Sequence, residues 1–243
     1  MKIAVITGGS KGIGKAIAKK FAENSYITYI LDLDQENGLK TADELKKYAP
    51  SNFIQTDVSD FKSIEAAEAQ IVSKENKIDV LVINAGISNR KTIAEISVAN
   101  WDKIIDVNLN GSFYTLKAFY EDLKSNKNSK LIFVTSGSGL TGTGGGAHYA
   151  ASKSGQHGLM KAASKELGAY GINVNAIAPR VIESDLLDEL YPNEKSREEL
   201  VKKIPIGRFG KPNDIANLAF FLASPESSYV HGQIILADGG RTL

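Results

Sequence analysis

The sequence predicts an α/β protein of the Rossmann type: one domain built on a doubly wound parallel sheet of about seven strands, with helices on both faces. Three observations predict it. Short β-branched runs alternate with helix-length amphipathic stretches from start to finish. Several runs are apolar at consecutive positions, as strands covered on both faces must be. A glycine-rich turn, "TGGSKGIG" at 7–14, joins the first run to the first helix.

Strands are expected at 2–7, 26–31, 52–56, 78–83, 130–135, 172–177 and 233–237. Their Val, Ile, Tyr, Phe and Thr content suits a pleated, buried surface. Between the first two, "KAIAKKFAE" (15–23) carries apolar residues at helical spacing. The stretch 148–170 reads as a long helix whose many small residues suit tight helix–helix contact, within one subunit or between two. No linker, repeat or composition shift divides the chain. Residues 1–243 are therefore expected to form a single dinucleotide-binding and catalytic domain, with the more polar segment 180–211 as a substrate lid.

Composition narrows the function. The 243 residues hold 29 Lys+Arg against 28 Asp+Glu, a net charge of +1, with no basic stripe or acidic tail. Nucleic acid and membrane surfaces are not expected as partners. With no cysteine, disulfides, thiolate catalysis and Cys-ligated metals are excluded. The three histidines, His148, His157 and His231, show no metal-ligand spacing, so no metal is expected. The short apolar run "KIAVIT" meets glycine at once and reads as a buried strand, not a signal peptide, and no segment approaches the ~18 apolar residues of a membrane span. A cytoplasmic location is expected.

Glycines at 7–14 let the backbone approach a pyrophosphate, and the helix N-terminus supplies N–H donors for it. "GSGLTG" (137–142) has the same glycine spacing but lacks an acid 18 to 20 residues further on. From Gly14, 18 residues lead to Asp32 at the end of the second strand, placed to accept from both hydroxyls of an adenosine ribose. A carboxylate there repels a 2′-phosphate, so NAD is favoured and NADP is the alternative. Lys11 pulls the other way as a partner for such a phosphate, or is a solvated loop charge.

Y-x-x-x-K occurs at Tyr120/Lys124, Tyr149/Lys153 and Tyr191/Lys195, and the spacing only places two side chains on one helix face. Context separates them. Tyr149 alone has a serine, Ser136, thirteen residues upstream at a strand end.

With that set in place, the chain resembles the short-chain dehydrogenase/reductase family along essentially its whole length, in particular 3-oxoacyl carrier-protein reductases and NAD-linked sugar or polyol dehydrogenases. The turn Thr7–Gly14, the triplet Asn84, Ala85 and Gly86, the helix asparagine Asn108, the set Ser136, Tyr149 and Lys153, and the C-terminal "GRFGKPNDIANLAFFLAS" and "GQIILADGG" carry the resemblance. It implies hydride transfer between a nicotinamide and a carbonyl carbon, with Tyr149 as general acid–base and Ser136 holding the substrate oxygen. Lys153, with the cationic nicotinamide, is expected to draw the phenol down toward working pH and to bond the nicotinamide ribose. Asn108 is expected to anchor a relay water, or to mend a helix distortion. Gly8, Ser10, Lys11, Gly12, Ile13, Gly14 and Asp32 are the expected phosphate and ribose contacts; Asp57 and Val58 lie at adenine, unless Asp57 only caps a helix. Asn84, Ala85 and Gly86 lie along the ribose, and Pro179, Ile182 and Ser184 at the nicotinamide end. His148 is read as a loop histidine.

The chain departs from the family after the sixth strand. "APRVIESD" (178–185) has Arg180 where glycine is common and Ser184 where threonine is. Arg180, with Arg90, is a candidate for recognising a carboxylate or phosphate on the substrate, or both are solvent-facing charges. The carrier-protein reductases usually take NADPH and often carry a basic residue where this chain has Tyr170, although Lys124, Lys127 and Lys130 are candidates for gripping a carrier elsewhere. The expected activity is NAD-linked interconversion of a secondary alcohol and a ketone on a small polar or anionic compound, with 3-oxoacyl carrier-protein reduction by NADPH as the alternative. A regulator that senses nicotinamide nucleotides without turnover is the non-enzyme alternative. The resemblance implies a homotetramer or homodimer.

Overall fold

Alternation along the first strand, β1 (Lys2–Thr7), supplies both cores at once: Ile3 and Val5 face one side of the sheet, Ala4 and Ile6 the other. The computed structural model describes residues 1–184, 187 and 193–242. β1 leads to α1 (Gly12–Glu23), β2 (Tyr26–Asp32), α2 (Gln35–Leu45), β3 (Ser51–Gln55), α3 (Phe61–Glu75) and β4 (Val80–Ile83). Then come α4 (Val98–Ile105), a π turn (Asp106–Asn110), α5 (Gly111–Ala118), α6 (Tyr120–Ser125), β5 (Lys130–Val134), α7 (Ser138–Thr141) and α8 (Gly146–Leu167). β6 (Asn173–Pro179), α9 (Glu194–Val201), α10 (Pro212–Leu222) and β7 (Ile234–Ala237) complete the chain.

Each of the seven expected strands forms, and all pair in parallel in the order β3-β2-β1-β4-β5-β6-β7. β4 starts later than expected because the Asp79 carboxylate, not a strand carbonyl, takes the Ile3 N–H at 2.8 Å. β6 extends to Pro179 because Ala237 of β7 pairs there. One face is closed by Ile64 and Ile71 of α3, Leu116 of α5 and Met160 and Leu167 of α8; the other by Ile17 and Phe21 of α1, Leu45 of α2 and Ile215 and Leu222 of α10. Each such side chain contributes roughly 1.5–3 kcal/mol on burial. Strand order reverses between β1 and β4, so a crevice opens beyond their carboxyl ends.

"GSGLTG" makes the four-residue helix α7 and ends at left-handed Gly142. The expected lid is described in part: Ile182 and Gly210 pair, so its two ends meet, while residues 185, 186 and 188–192, Tyr191 among them, lie outside the described residues. Among the described residues no helix is long and apolar enough to cross a membrane, and no three His, Asp or Glu side chains gather where they could hold a metal ion.

Where α3 meets α6, Glu68 and Asp122 share a hydrogen bond between carboxyl groups. Burial, then Asp122 and Glu65, pushes Glu68 up to about 7. A folded value above the ordinary one means stability present at low pH and lost as pH rises through about 7. Glu68→Gln keeps a donor facing Asp122 and does not ionise. It is expected to melt ~2–4 °C higher than the parent at about pH 8.5, near 1 kcal/mol after solvent screening, and at the same temperature at about pH 5.

Candidate active site

Thr7 ends β1 and knots the crevice together. Its hydroxyl accepts from the N–H groups of Asn84 (3.0 Å) and Ala85 (3.1 Å), while the Asn84 amide donates to the carbonyls of Thr7 (3.0 Å) and Gly8 (2.9 Å). Asn84 therefore holds the turn and leaves backbone to face the cavity. At Gly14 a Cβ would sit 2.0 Å from the Gly8 carbonyl oxygen, so only glycine lets α1 start this close to β1. α1 begins with no side-chain cap and no acid in its first turn, leaving its N-terminal dipole for an anion.

A cavity of about 640 Å³ lies over this turn. Gly8, Ser10, Lys11, Gly12, Ile13, Gly14, Asp32, Asp57, Val58, Asn84, Ala85, Gly86, Tyr149, Lys153 and Ser184, all expected from the sequence as cofactor contacts, line it. Leu33, Thr56, Ser88, Lys103, Val107 and Thr135 also line it; nothing in their local sequence marks them. A smaller concavity, about 340 Å³, at Lys2, Tyr26 and Phe220 lies at the opposite end of the strands.

Asp32 accepts from the Ser10 N–H (3.0 Å), the Ser10 hydroxyl (2.5 Å) and the Asp34 N–H (3.1 Å), which aims it across the turn. Lys11 is held by Asp34 at 2.8 Å, which turns its charge toward a carboxylate. Asp57 accepts from the N–H (2.9 Å) and hydroxyl (2.6 Å) of Ser59, while Asp60 caps α3. Ile182 does not reach this cavity. It packs on Gly210 and lines a neighbouring hollow of about 210 Å³ with Arg180, because the strand-like bridge to Gly210 turns it toward α10. Pro179 stays buried at the end of β6 and does not line the cavity either, its carbonyl bonded to the Gly137 N–H.

Tyr149 and Lys153 share one face of α8, with the ammonium 5.6 Å from the phenol ring centroid. Lys153 is only 3% exposed, and its ammonium donates weakly to the Val134 carbonyl at 3.5 Å. Burial pushes it down to about 8. Tyr149 is pushed up by burial, opposed by a hydrogen bond with Ser136. The expected lowering of the phenol by Lys153 and a cationic nicotinamide together belongs to the nucleotide-bound site; in the chain alone burial is the larger influence on Tyr149. Ser136 is fixed by the Ser138 N–H at 3.1 Å. Behind it, Thr135 lies 2.8 Å from His157, which burial, then Lys153 and Lys161, holds neutral, down to about 4.

Asn108 sits in the π turn with every group engaged. Its side chain exchanges hydrogen bonds with Ile87 N–H (2.8 Å) and C=O (3.0 Å) and donates to Ser152 (3.0 Å). Its carbonyl accepts from Ser112 (2.6 Å) and Gln156 (2.9 Å). The Asn108 side chain thereby ties the loop after β4 to α8, while Ser112 and Gln156 satisfy the carbonyl that the π turn releases. Gly86 lies against this group: a Cβ would be 3.2 Å from Asn108 Oδ1 and 3.3 Å from Lys153 Nζ.

Arg180 donates to Thr143 (2.7 Å) and Thr242 (2.8 Å), and its stem packs on Gly137 beside Ser136. Arg90 is exposed and does not line the cavity. Lys130 is buried on Asn173 and unavailable to a carrier, and Lys124 pairs with Glu121 between the rings of Tyr120 and Tyr170.

This fold and site define a nicotinamide-dinucleotide oxidoreductase. Residues 8–242 match the family model described as Enoyl-(Acyl carrier protein) reductase, and the chain belongs to this short-chain dehydrogenase/reductase family. It is 39% identical over 247 residues to 3-oxoacyl-[acyl-carrier-protein] reductase FabG of Thermotoga maritima, covering 100% of this chain and 98% of that protein. The same-named protein of Chlamydia muridarum is 38% identical over 98% of this chain and 96% of its own. Among solved structures it is similar to levodione reductase (TM-score 0.94, 29% identity, 99% and 97% covered) and to a Pseudomonas aeruginosa RhlG/NADP active-site complex (0.94, 30%, 100% and 96%).

Gly14→Ala is expected to weaken nicotinamide-nucleotide binding at least ~tenfold by calorimetry, since the methyl overlaps backbone. Gly12→Ala, where an added Cβ meets nothing within 4 Å, strains only the local φ of +53 and is expected to cost less.

Proposed function

We propose that the chain reduces the 3-oxo group of an acyl thioester borne on an acyl carrier protein to the 3-hydroxy form. The reading is carried by the meeting of Ser136, Tyr149 and Lys153 beside the dinucleotide cavity in a chain whose full-length relatives bear that name. When bound, the reduced nicotinamide supplies hydride to the carbonyl carbon. Tyr149 donates its proton to the carbonyl oxygen, and its raised value keeps the phenol protonated for that task. Ser136 holds the same oxygen as it gains charge. The Lys153 ammonium then stands beside the phenolate it stabilises, and remains protonated below about pH 8. Two hydroxyls aimed at one point suit a carbonyl oxygen better than a carbon–carbon double bond, which favours the 3-oxo over the 2-enoyl substrate.

Asp32, at the tip of β2, favours NADH over NADPH by like-charge repulsion of a 2′-phosphate, and Lys11 is occupied by Asp34. Arg180 supports a second reading, a small anionic hydroxy or oxo acid, because its cation lies next to the strand end that carries Ser136.

The test follows oxidation or reduction of the nicotinamide with 3-oxoacyl thioesters, 2-enoyl thioesters and hydroxy acids, each with both nucleotides. Turnover of the 3-oxoacyl thioester with NADH is expected, and Tyr149→Phe is expected to lose ~10²–10⁴-fold in kcat. Turnover of hydroxy acids alone moves the assignment to the second reading; full activity in Tyr149→Phe removes the mechanism.

A further inference from the structure

α8 lacks a side-chain cap: its N-cap residue is Gly145, and a Cβ there would strike the Tyr149 ring at 2.5 Å. The first turn of the helix that carries Tyr149 must find its partners elsewhere. His148 provides one. It is fully buried, and its Nδ1 accepts the backbone N–H of Tyr149 at 2.9 Å. An acceptor at Nδ1 places the ring proton on Nε2, which donates to Asn89 Oδ1 at 2.7 Å. Asn89 lies three residues after Gly86 in the loop that borders the cavity, and its amide donates to Asn100 of α4 at 3.3 Å. A chain of hydrogen bonds thus runs from the Tyr149 backbone through an imidazole and two amides to a second helix.

We propose that His148 is a positioning residue that ties Tyr149 to the loop bordering the cavity, working as the neutral imidazole with its proton on Nε2. The proposal rests on the reading of Tyr149 as proton donor. Protonation would set an Nδ1–H against the Tyr149 N–H, donor against donor, and break the chain at its first link. Burial and the charge of Lys91 both hold the ring below its ordinary value, so the neutral form prevails near neutrality. Among the described residues Lys91 is the charged group acting on it from the loop; α4 presents neutral Asn100, and Tyr149 is its titratable neighbour on α8.

Three substitutions separate the two bonds. His148→Asn retains an acceptor at the Nδ1 place, cannot titrate and gives up Asn89. His148→Gln reaches Asn89 and gives up the acceptor, and His148→Phe loses both. Amide exchange at residue 149, read without turnover, is expected to quicken in the Gln and Phe variants and to stay slow in Asn. kcat is expected to fall ~10²-fold in His148→Phe and no more than ~10-fold in His148→Asn, with nucleotide Kd within about twofold in all three. The acid limb of the wild-type kcat profile is expected to shift in His148→Asn. Unchanged exchange and kcat in His148→Phe, or an unchanged acid limb in His148→Asn, would overturn the proposal. Should His148→Phe not fold, Asn89→Ala, which frees the ring, is expected to quicken the same amide, and wild-type exchange there overturns it equally. The exchange comparison decides the positioning role even where no substrate is turned over, while Tyr149→Phe separately decides the proton-donor reading.

Discussion

A lysine ammonium buried beside a phenol, with no carboxylate to meet it among the described residues, is the constraint on which the site rests. Lys153 gives up nearly all of its hydration and recovers one long hydrogen bond to a strand carbonyl. Burial moves Lys153 toward its neutral amine and, against a hydrogen bond with Ser136, holds Tyr149 as the neutral phenol. Both groups are most stable when the phenol keeps its proton. The charged alternative, phenolate beside ammonium, becomes favourable once proton transfer to substrate supplies the anion that the cation lacks.

The surrounding architecture holds that pair in register. α8 sets the four-residue spacing, β5 presents Ser136, and Gly86 leaves room for the Lys153 ammonium and the Asn108 amide together. The π turn at Asp106–Asn110 breaks the helix ladder, and Ser112 and Gln156 restore its lost bonds. The Thr7–Asn84 knot fixes β1 to β4 where strand order reverses, so the cavity and the Tyr149–Lys153 pair lie at one sheet edge.

Features set by short-range pattern were legible in the sequence. Consecutive apolar residues marked buried parallel strands, and the glycines marked the turn, Gly8 and Gly14 because close backbone approach admits little else and Gly12 because of its positive φ. Ser136 distinguished Tyr149 from Tyr120, whose hydroxyl turns out to bond Glu166 at 2.5 Å. Features set by tertiary surroundings were not legible. The burial that raises Tyr149 depends on distant neighbours, the Asn108 carbonyl is taken by Ser112 and by Gln156 of α8, and a one-residue bridge to Gly210 carried Ile182 away from the cavity. Lys130, read as a candidate for gripping a carrier, is buried on Asn173, and His148, read as a loop histidine, is buried on Asn89, each because of neighbours distant in sequence.

The protonation of Lys153 tests the central constraint most directly. In protein carrying ¹³C-labelled lysine, with the Lys153→Arg variant identifying the signal, the side-chain resonance is followed across pH. A midpoint near about 8 is the expected result. A Lys153 that titrates with the surface lysines, near the ordinary value of about 10.4, would contradict it.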